Sequence, residues 1–278
     1  MLPARKALMT AGCALLMSTG LARATQGEWI ISPGIANLNN HRSSSTPQHN
    51  ELAPSIATKT GLVPTQFDSP GTEQTSGNAT KPILRLAYFM TDNWAVSVNI
   101  GVPPKIDVLG KGTVTTPGLL NKVVPPVMMG DPANNPIATA VHWYPSAMVQ
   151  YYFGTRHDTI RPFVSLGLGY SFFRDVKVSP NFEKNLKAAG SFMTLASTLS
   201  PVNTVEADAS SEWAPLYNVG LAYYPDPKWV AGLAVSYVPT KTVSTIRIRD
   251  KNGNVVLTSS AKMDIPTVAT SLTLGYRF

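Results

Sequence analysis

The chain has 278 residues, of which 44% are hydrophobic and only 14% are charged, against roughly 25% charged in an ordinary soluble domain. A mean hydropathy of +0.01 argues against a disordered chain, and beyond the N-terminus no uncharged apolar run reaches the ~18 residues of a membrane helix. Since only helices and closed barrels span a bilayer, this composition leaves an unusual soluble protein or a β-barrel in lipid.

The first 24 residues have the pattern of a secretory signal peptide. Arg5-Lys6 precedes a largely apolar stretch over 7–17, and Ala22-Arg23-Ala24 supplies the small-x-small cleavage pattern. The alternative is a short buried helix. We predict that 1–24 is a signal peptide and that 25–278 forms a single transmembrane barrel domain.

The single cysteine, Cys13, falls within this segment. We therefore expect neither a disulfide nor a thiolate metal site in the mature chain. The segment also carries three basic residues, so the mature protein is less basic than the formal charge of +7 indicates. The remaining basic residues form no block interleaved with aromatics, so we expect no nucleic-acid partner.

Segments of alternating character follow along the chain. One face carries bulky apolar side chains and the other carries small, weakly polar ones. The segments are Trp94–Val102, Phe163–Phe173, Tyr217–Tyr223, Trp229–Tyr237 and Pro266–Phe278. A soluble β-domain, the alternative, would carry charges on its second face. That face almost lacks Lys, Glu and Asp, which favours a lumen, with the bulky face in lipid.

Short connections alternate with longer ones. The short turns are at 91–93, 154–160 and 225–228. The outer connections are at 40–81, 109–140, 178–212 and 250–254. Three short and four outer connections make eight strands, and short periplasmic turns with longer extracellular loops are typical of outer-membrane barrels. We predict an all-β fold, an eight-stranded antiparallel transmembrane β-barrel.

Aromatic residues gather beside the short turns, as in an interfacial girdle. They are Trp94, Tyr151, Phe153, Phe163, Trp229, Tyr276 and Phe278. The chain ends on Phe278 after an alternating strand, a feature that outer-membrane barrels share. We expect the barrel-assembly machinery to recognise this end.

Several motifs together resemble those of the OmpW family of outer-membrane proteins. They are Thr91-Asp92-Asn93, Tyr144-Pro145, Gln150-Tyr151-Tyr152-Phe153-Gly154, Arg161-Pro162-Phe163-Val164, Gly169-Tyr170, Glu212-Trp213, Lys228-Trp229 and Gly275-Tyr276-Arg277-Phe278. The resemblance covers most strands from Trp29 onward. It departs from the family pattern in the long connections 40–81 and 109–140.

The resemblance implies an eight-stranded barrel in the outer membrane of a Gram-negative bacterium. It also implies a narrow channel for small hydrophobic molecules. The alternative is a structural or surface-interaction barrel without transport, such as a receptor, an adhesin or a stress-associated protein.

Eight strands enclose an interior that side chains nearly fill, which excludes a wide aqueous pore. The residues expected to face this interior and line the pathway are Asn99, Met148, Gln150, Leu216, Asn218, Gly220 and Ala222. By resemblance and position, Trp213 lines the mouth of the pathway or else belongs to the girdle.

Inward charges are few. Arg85 faces inward on this pattern, as do Arg277 and, less clearly, Glu28. Glu28 and Arg277 fall at the periplasmic ends of the closing strands. We predict that they pair and seal the barrel there; an ion-selective role is the alternative.

Five prolines share one height near the outer edge of the apolar band, about 25 Å above the periplasmic end. They are Pro103, Pro145, Pro215, Pro239 and Pro266. Proline has no N–H to donate to a ladder. These residues predict either a kinked rim or a lateral gap through which an apolar solute slips into the bilayer.

A helical spacing of apolar residues occurs once outside the signal segment, over 182–199. The residues are Phe182, Leu186, Ala189, Met193 and Ala196. This pattern predicts a short helix that caps the barrel mouth, with a partner-docking helix as the alternative.

Catalytic patterns are missing from the sequence. No His among His41, His49, His142 and His157 stands with a Ser and a carboxylate at convincing spacing. Gly167-Leu168-Gly169 lacks the rest of a dinucleotide fingerprint. We expect no enzymatic activity, no metal and no cofactor.

Overall fold

The computed structural model describes residues 26–56, 64–195 and 197–278. The predicted signal peptide lies outside the described residues. Among those described, no helix is long and apolar enough to cross a membrane. In chain order the strands are β1 (Trp29–Asn39), β2 (Ser44–Ser45), β3 (Gln48–Leu52), β4 (Gln66–Ser69), β5 (Glu73–Ser76), β6 (Ala79–Phe89), β7 (Trp94–Gly101), β8 (Lys105–Lys111), β9 (Thr113–Val114), β10 (Val127–Met128), β11 (Ala138–Trp143), β12 (Ser146–Tyr152), β13 (Ile160–Val178), β14 (Val202–Ala209), β15 (Glu212–Tyr223), β16 (Trp229–Asp250) and β17 (Val255–Arg277).

Eight of these strands form a closed antiparallel ring. The order is β1, β6, β7, β12, β13, β15, β16 and β17, and β17 pairs with β1 to close it. Bulky residues of the ring point outward: Ile35, Leu166 and Leu272 each expose more than half of their surface. The predicted eight-stranded antiparallel barrel with an apolar outer face is confirmed.

The first described residues, the C-terminal residue and the short turns lie together at one end of the barrel, with the predicted girdle around them. Trp94, Trp229 and Phe153 are exposed there. Phe163 was predicted in the same girdle, and this prediction is wrong. Phe163 is buried and faces the lumen, because it lies two residues before the inward Ser165 on β13.

Above the barrel the strands continue as an ordered extracellular extension. β16 and β17 rise as one hairpin, β14 pairs with β16, β3 pairs with β17, and β8 pairs with β11. Residues 40–81, 109–140 and 178–212 were predicted as long outer connections, with a helix only in the last, and much of each is strand or helix. Side-chain hydrogen bonds accompany this pairing, as from Asn50 Nδ2 to Ser69 Oγ at 3.1 Å.

Helix α1 (Pro180–Thr194) packs inside the extension, and a short 3₁₀ helix (Gly118–Lys122) precedes it in the chain. Four of the five predicted apolar positions of α1 are buried, and the fifth, Ala196, lies outside the described residues. They pack with Ile246 and Ile248 of β16. Those two side chains share the face of β16 that lines the lumen lower down, so α1 covers the barrel from above.

The hairpin of β16 and β17 turns at Asp250, outside the membrane. Burial acts to raise the pKa of the Asp250 carboxyl, but hydrogen bonds from Asn254, Ser200 and Asn252 outweigh it, and the pKa lies below its ordinary value. The turn is therefore held by a carboxylate that stays ionised.

Candidate functional site

The periplasmic half of the lumen is filled by an aromatic layer, formed by Phe89, Tyr152, Phe163 and Tyr224. The ring centroids of Phe89 and Tyr152 are 5.0 Å apart, as are those of Tyr152 and Phe163. All four side chains are buried. Large rings in contact leave no open passage through this end of the barrel.

Gly220 and Ala222 face inward, as expected, but within this aromatic layer. A side chain at Gly220 would collide with the ring of Phe163. The two residues therefore make room for the layer. Their predicted place along an open pathway is wrong, because the space that they leave is already occupied.

Arg161 also lies in this layer and was missed from the sequence. It is 0% exposed, and its guanidinium donates to the carbonyl oxygens of Asp92 at 2.8 Å, Phe153 at 3.3 Å and Tyr152 at 3.4 Å. Its alternation with Phe163 on β13 could have identified it as inward. Arg161 thus ties two periplasmic turns to the layer.

Glu28 and Arg277 meet at the same end. The Nη1 atom of Arg277 lies 3.4 Å from Oε2 of Glu28, and both side chains are largely buried. The expected pairing between the first and last strands of the ring is therefore present.

A polar network fills the middle of the lumen. Gln150 Nε2 donates to Ser165 Oγ at 3.2 Å, and Asn218 Nδ2 donates to the same oxygen at 3.4 Å. Ser236 Oγ donates to Asn218 Oδ1 at 3.1 Å. Gln150 and Asn218 were expected to line the lumen, and they do so as parts of this closed network.

Above the network lies an open space, here called the upper cavity. Its volume is about 90 Å³. The apolar side chains of Leu38, Ile83, Ile106, Leu216, Val238 and Ile265 line it. Asn99 lines it too, while Met148 packs with Leu216 and Val238 at its wall. The lining suits a small, largely apolar ligand.

Two smaller cavities continue upward into the extension. The first shares Ile106 and Phe173 with the upper cavity. The second lies beneath helix α1 and shares Ile246 with the first. Three separate cavities thus lie one above another between the extracellular extension and the polar network.

The wall of the upper cavity is interrupted between β15 and β16. Their ladder runs from Tyr223↔Ala231 to Tyr217↔Tyr237 and stops there. Above it, Glu212–Leu216 of β15 has no ladder to Val238–Thr242 of β16; these two facing stretches are the seam. Pairing with β16 resumes at Ala209↔Ser244, on β14.

Side chains close the seam in place of backbone bonds. Ala214, Leu216 and Val238 pack with Met148 on the lumen side. The hydroxyl of Tyr144 donates to the Ala214 carbonyl oxygen at 3.0 Å. At the top of the seam, the Lys241 backbone N–H donates to the Glu212 carboxylate.

The five prolines do not act alike. Pro215 and Pro239 lie on the two sides of the seam. Pro103 and Pro145 lie in the breaks between β7 and β8 and between β11 and β12. Pro266 instead faces Pro239 in an unbroken ladder between β16 and β17. Pro266 therefore opens no gap, contrary to the prediction that grouped it with the other four.

Trp213 does not face the lumen. Its side chain is 69% exposed, and its ring lies 5.1 Å from that of Tyr170 on the outer surface. It lies on the same face of β15 as Tyr217, which also points outward. The structure therefore excludes Trp213 from the lumen and agrees with the girdle alternative.

Comparison with known proteins bears on this arrangement. The sequence profile of the OmpW family matches residues 50–278. The chain belongs to the OmpW family. It is 25% identical over 236 residues to outer membrane protein W of Vibrio cholerae serotype O1, covering 84% of this chain and 83% of that protein.

Solved barrels share the fold of this OmpW-family protein. The crystal structure of OprG from Pseudomonas aeruginosa superposes with a TM-score of 0.64 at 20% identity, covering 92% of this chain and 98% of that one. The solid-state NMR structure of outer membrane protein AlkL in lipid bilayers gives a TM-score of 0.52 at 21% identity, covering 96% and 97%. The OmpW-family protein described here is an outer-membrane β-barrel.

Proposed function

We propose that this protein takes small hydrophobic molecules from outside the cell into the upper cavity and releases them sideways through the seam into the bilayer. The observation that carries the proposal is the position of the seam. It borders the upper cavity through Leu216 and Val238, while the lumen below is filled.

The seam lacks the backbone ladder that joins the same two strands lower down, and this lowers the cost of opening it. Each ladder hydrogen bond contributes about 1 kcal/mol in water, and an unsatisfied backbone group in lipid costs several kcal/mol. Along Glu212–Leu216 there is no β15–β16 ladder to break. Parting it requires displacement of the small cluster formed by Ala214, Leu216, Val238 and Met148.

Passage straight through the barrel would cost more. A solute would have to separate the polar network of Gln150, Ser165 and Asn218. It would then have to displace the aromatic layer and the buried Arg161 with its three carbonyl partners. Sideways release avoids both barriers and delivers an apolar solute into an apolar medium.

The alternative is a structural or surface-interaction barrel without transport. The extracellular extension favours it, because its strands and helix α1 form an ordered body with an apolar core of its own. Such a body can present a fixed surface to a partner.

Uptake measurements separate the two functions. Cells that lack the protein are compared with cells that express it, using naphthalene as the apolar solute and glucose as the polar one. Transport predicts faster naphthalene uptake with glucose unchanged. Equal naphthalene uptake in both strains, with folded protein present, would contradict transport and favour the alternative.

We also propose that the barrel-assembly machinery recognises the C-terminal end. Phe278 is exposed at the barrel edge, and its backbone bonds to Trp29 only after the ring closes. Phe278→Ala should lower the amount of folded protein in the membrane. An unchanged amount would contradict this role.

A further inference from the structure

We propose that the upper cavity binds amphipathic anions, molecules with a compact apolar body and one carboxylate. The carboxylate would lie at Lys81 and Arg85 on β6, and the apolar body would extend toward Leu216 and Val238. This inference rests on the proposed function for the exit route, and it names the ligand class that the same cavity selects.

The upper cavity contains two cations and no acid. Lys81 and Arg85 both line it, on the same face of β6. All 16 acidic residues of the chain lie within the described ranges, and none of them lines this cavity. No described carboxylate oxygen lies within the 4.0 Å ion-pair distance of either cation. The cavity is therefore positively charged.

The other inward arginines lie outside the upper cavity and have partners there. Arg277 lies 3.4 Å from the Glu28 carboxylate. Arg161 donates to three backbone carbonyls and lies over the Tyr152 ring, with its Cζ 5.4 Å from the centroid. Arg85, by contrast, has a side-chain bond to the neutral Asn99 Oδ1 at 3.2 Å. Like Arg161, Lys81 and Arg85 have no described carboxylate within ion-pair distance, but of these three cations only Lys81 and Arg85 line the cavity.

A cation without a counter-ion at membrane depth is costly, and such residues commonly mark a ligand or ion pathway. Arg85 is buried, with 8% of its surface exposed. A carboxylate entering the cavity would supply the missing charge and accept charge-assisted hydrogen bonds from Arg85 and Lys81. A neutral solute gains none of this.

The cations and the seam lie on opposite walls. β6 and β15 are four places apart in the ring of eight, so they face each other across the lumen. Arg85 and Leu216 nevertheless line the same cavity. A small ligand can therefore hold its anionic end at β6 with its apolar body directed toward the seam.

Binding of a matched pair of ligands tests the proposal. The mature protein in nanodiscs is titrated with 1-naphthoate and with 1-naphthalenemethanol, and binding is followed by isothermal titration calorimetry after subtraction of empty nanodiscs. The two ligands share the ring and differ in the carboxylate. In the Lys81→Gln/Arg85→Gln variant, the Kd of 1-naphthoate should rise at least about tenfold, as expected for two lost charge-assisted hydrogen bonds. The Kd of 1-naphthalenemethanol should stay within about twofold of its value for the unmodified protein.

Matched controls keep the charge effect specific. Lys105→Gln/Lys262→Gln removes two exposed cations outside the cavity and should change neither Kd. The charge-conserving Lys81→Arg/Arg85→Lys should keep 1-naphthoate binding within about threefold. The single variant Lys81→Gln, at a half-buried position, gives the same test with the smallest change to the fold. Equal effects on both ligands, or no effect on 1-naphthoate in the folded variants, would overturn the proposal.

The two proposals fail in different ways. Charge-dependent binding of 1-naphthoate without naphthalene uptake by cells would overturn the transport function and leave the ligand class standing. Naphthalene uptake with charge-independent binding would overturn the ligand class alone.

Discussion

The hydroxyl of Tyr144 donates a hydrogen bond to the carbonyl oxygen of Ala214 at 3.0 Å. Tyr144 lies in the connection between β11 and β12, whereas Ala214 lies on the stretch of β15 that has no ladder to β16. Gly169 of β13 lies beneath the Tyr144 ring and leaves room for it. One side chain thus holds the lumen side of the seam from two strands away.

Tyr144→Phe should loosen the seam. Loss of the bond leaves the Ala214 carbonyl without this donor, which costs about 1 kcal/mol of unfolding free energy. Naphthalene uptake by cells should rise several-fold, because the exit opens more readily. Tyr151→Phe is the control, because it removes a hydroxyl from a girdle ring that packs against Trp94. It should leave naphthalene uptake unchanged. Slower or unchanged uptake in Tyr144→Phe would show that the bond does not hold an exit.

Filling the upper cavity should block uptake. Ala269 lines the cavity, so Ala269→Phe adds a ring where the solute would lie. Naphthalene uptake should fall at least about tenfold, to the level of cells without the protein, since the added ring occupies the binding volume. Ala231→Phe makes the same change on the outer face of β16 and should be tolerated. Both variants must keep the heat-dependent gel shift of a folded barrel, and normal uptake through a folded Ala269→Phe would rule out this route.

The sequence predicted the barrel well because lipid and lumen impose opposite chemistry on alternate residues of every strand. The same alternation predicts which way Phe163, Arg161 and Trp213 point, because each lies two or four residues from a residue whose face is evident from its type. Reliance on residue type, with aromatics assigned to the girdle, led to the error at Phe163. Resemblance and position, and not the alternation, led to the placement of Trp213 at the mouth of the pathway.

Other features depend on contacts between distant segments. The polar strands β4 and β5 lack an apolar alternation, so their pairing partners decide their structure. The seam depends on the point at which β14 takes over from β15 as the neighbour of β16. The positions of the prolines alone predicted a gap at Pro215 and Pro239. They predicted one equally at Pro266, which lies in an intact ladder.

Restoring N–H donors at the seam should slow release. Pro215→Ala/Pro239→Ala allows the two strands to extend their ladder, so naphthalene uptake should fall several-fold. The free energy of unfolding should rise by about 1 kcal/mol. Pro266→Ala is the matched control, because its ladder is already continuous. Equal naphthalene uptake in the two variants would show that Pro215 and Pro239 do not control the exit.

The ion pair at the closing strands should contribute to stability. Glu28→Gln removes the carboxylate that lies against the largely buried Arg277, and the free energy of unfolding should fall by about 1 to 3 kcal/mol. Glu206→Gln, which breaks the more exposed pair with Arg249, should cost less than about 1 kcal/mol. Denaturant titrations of the folded fraction on gels measure both. Equal losses in the two variants would contradict a sealing role for Glu28.

A reversible cross-link across the seam tests sideways release most directly. Leu216→Cys/Val238→Cys places two thiols in the cluster that closes the seam, and a short thiol-specific, reducible cross-linker joins them. Leu221→Cys/Leu233→Cys joins the same two strands where their ladder is intact. Naphthalene uptake should fall at least about tenfold when the seam pair is joined, since the exit can no longer widen. It should recover on reduction and stay unchanged for the ladder pair. Undiminished uptake through a fully cross-linked seam would contradict sideways release.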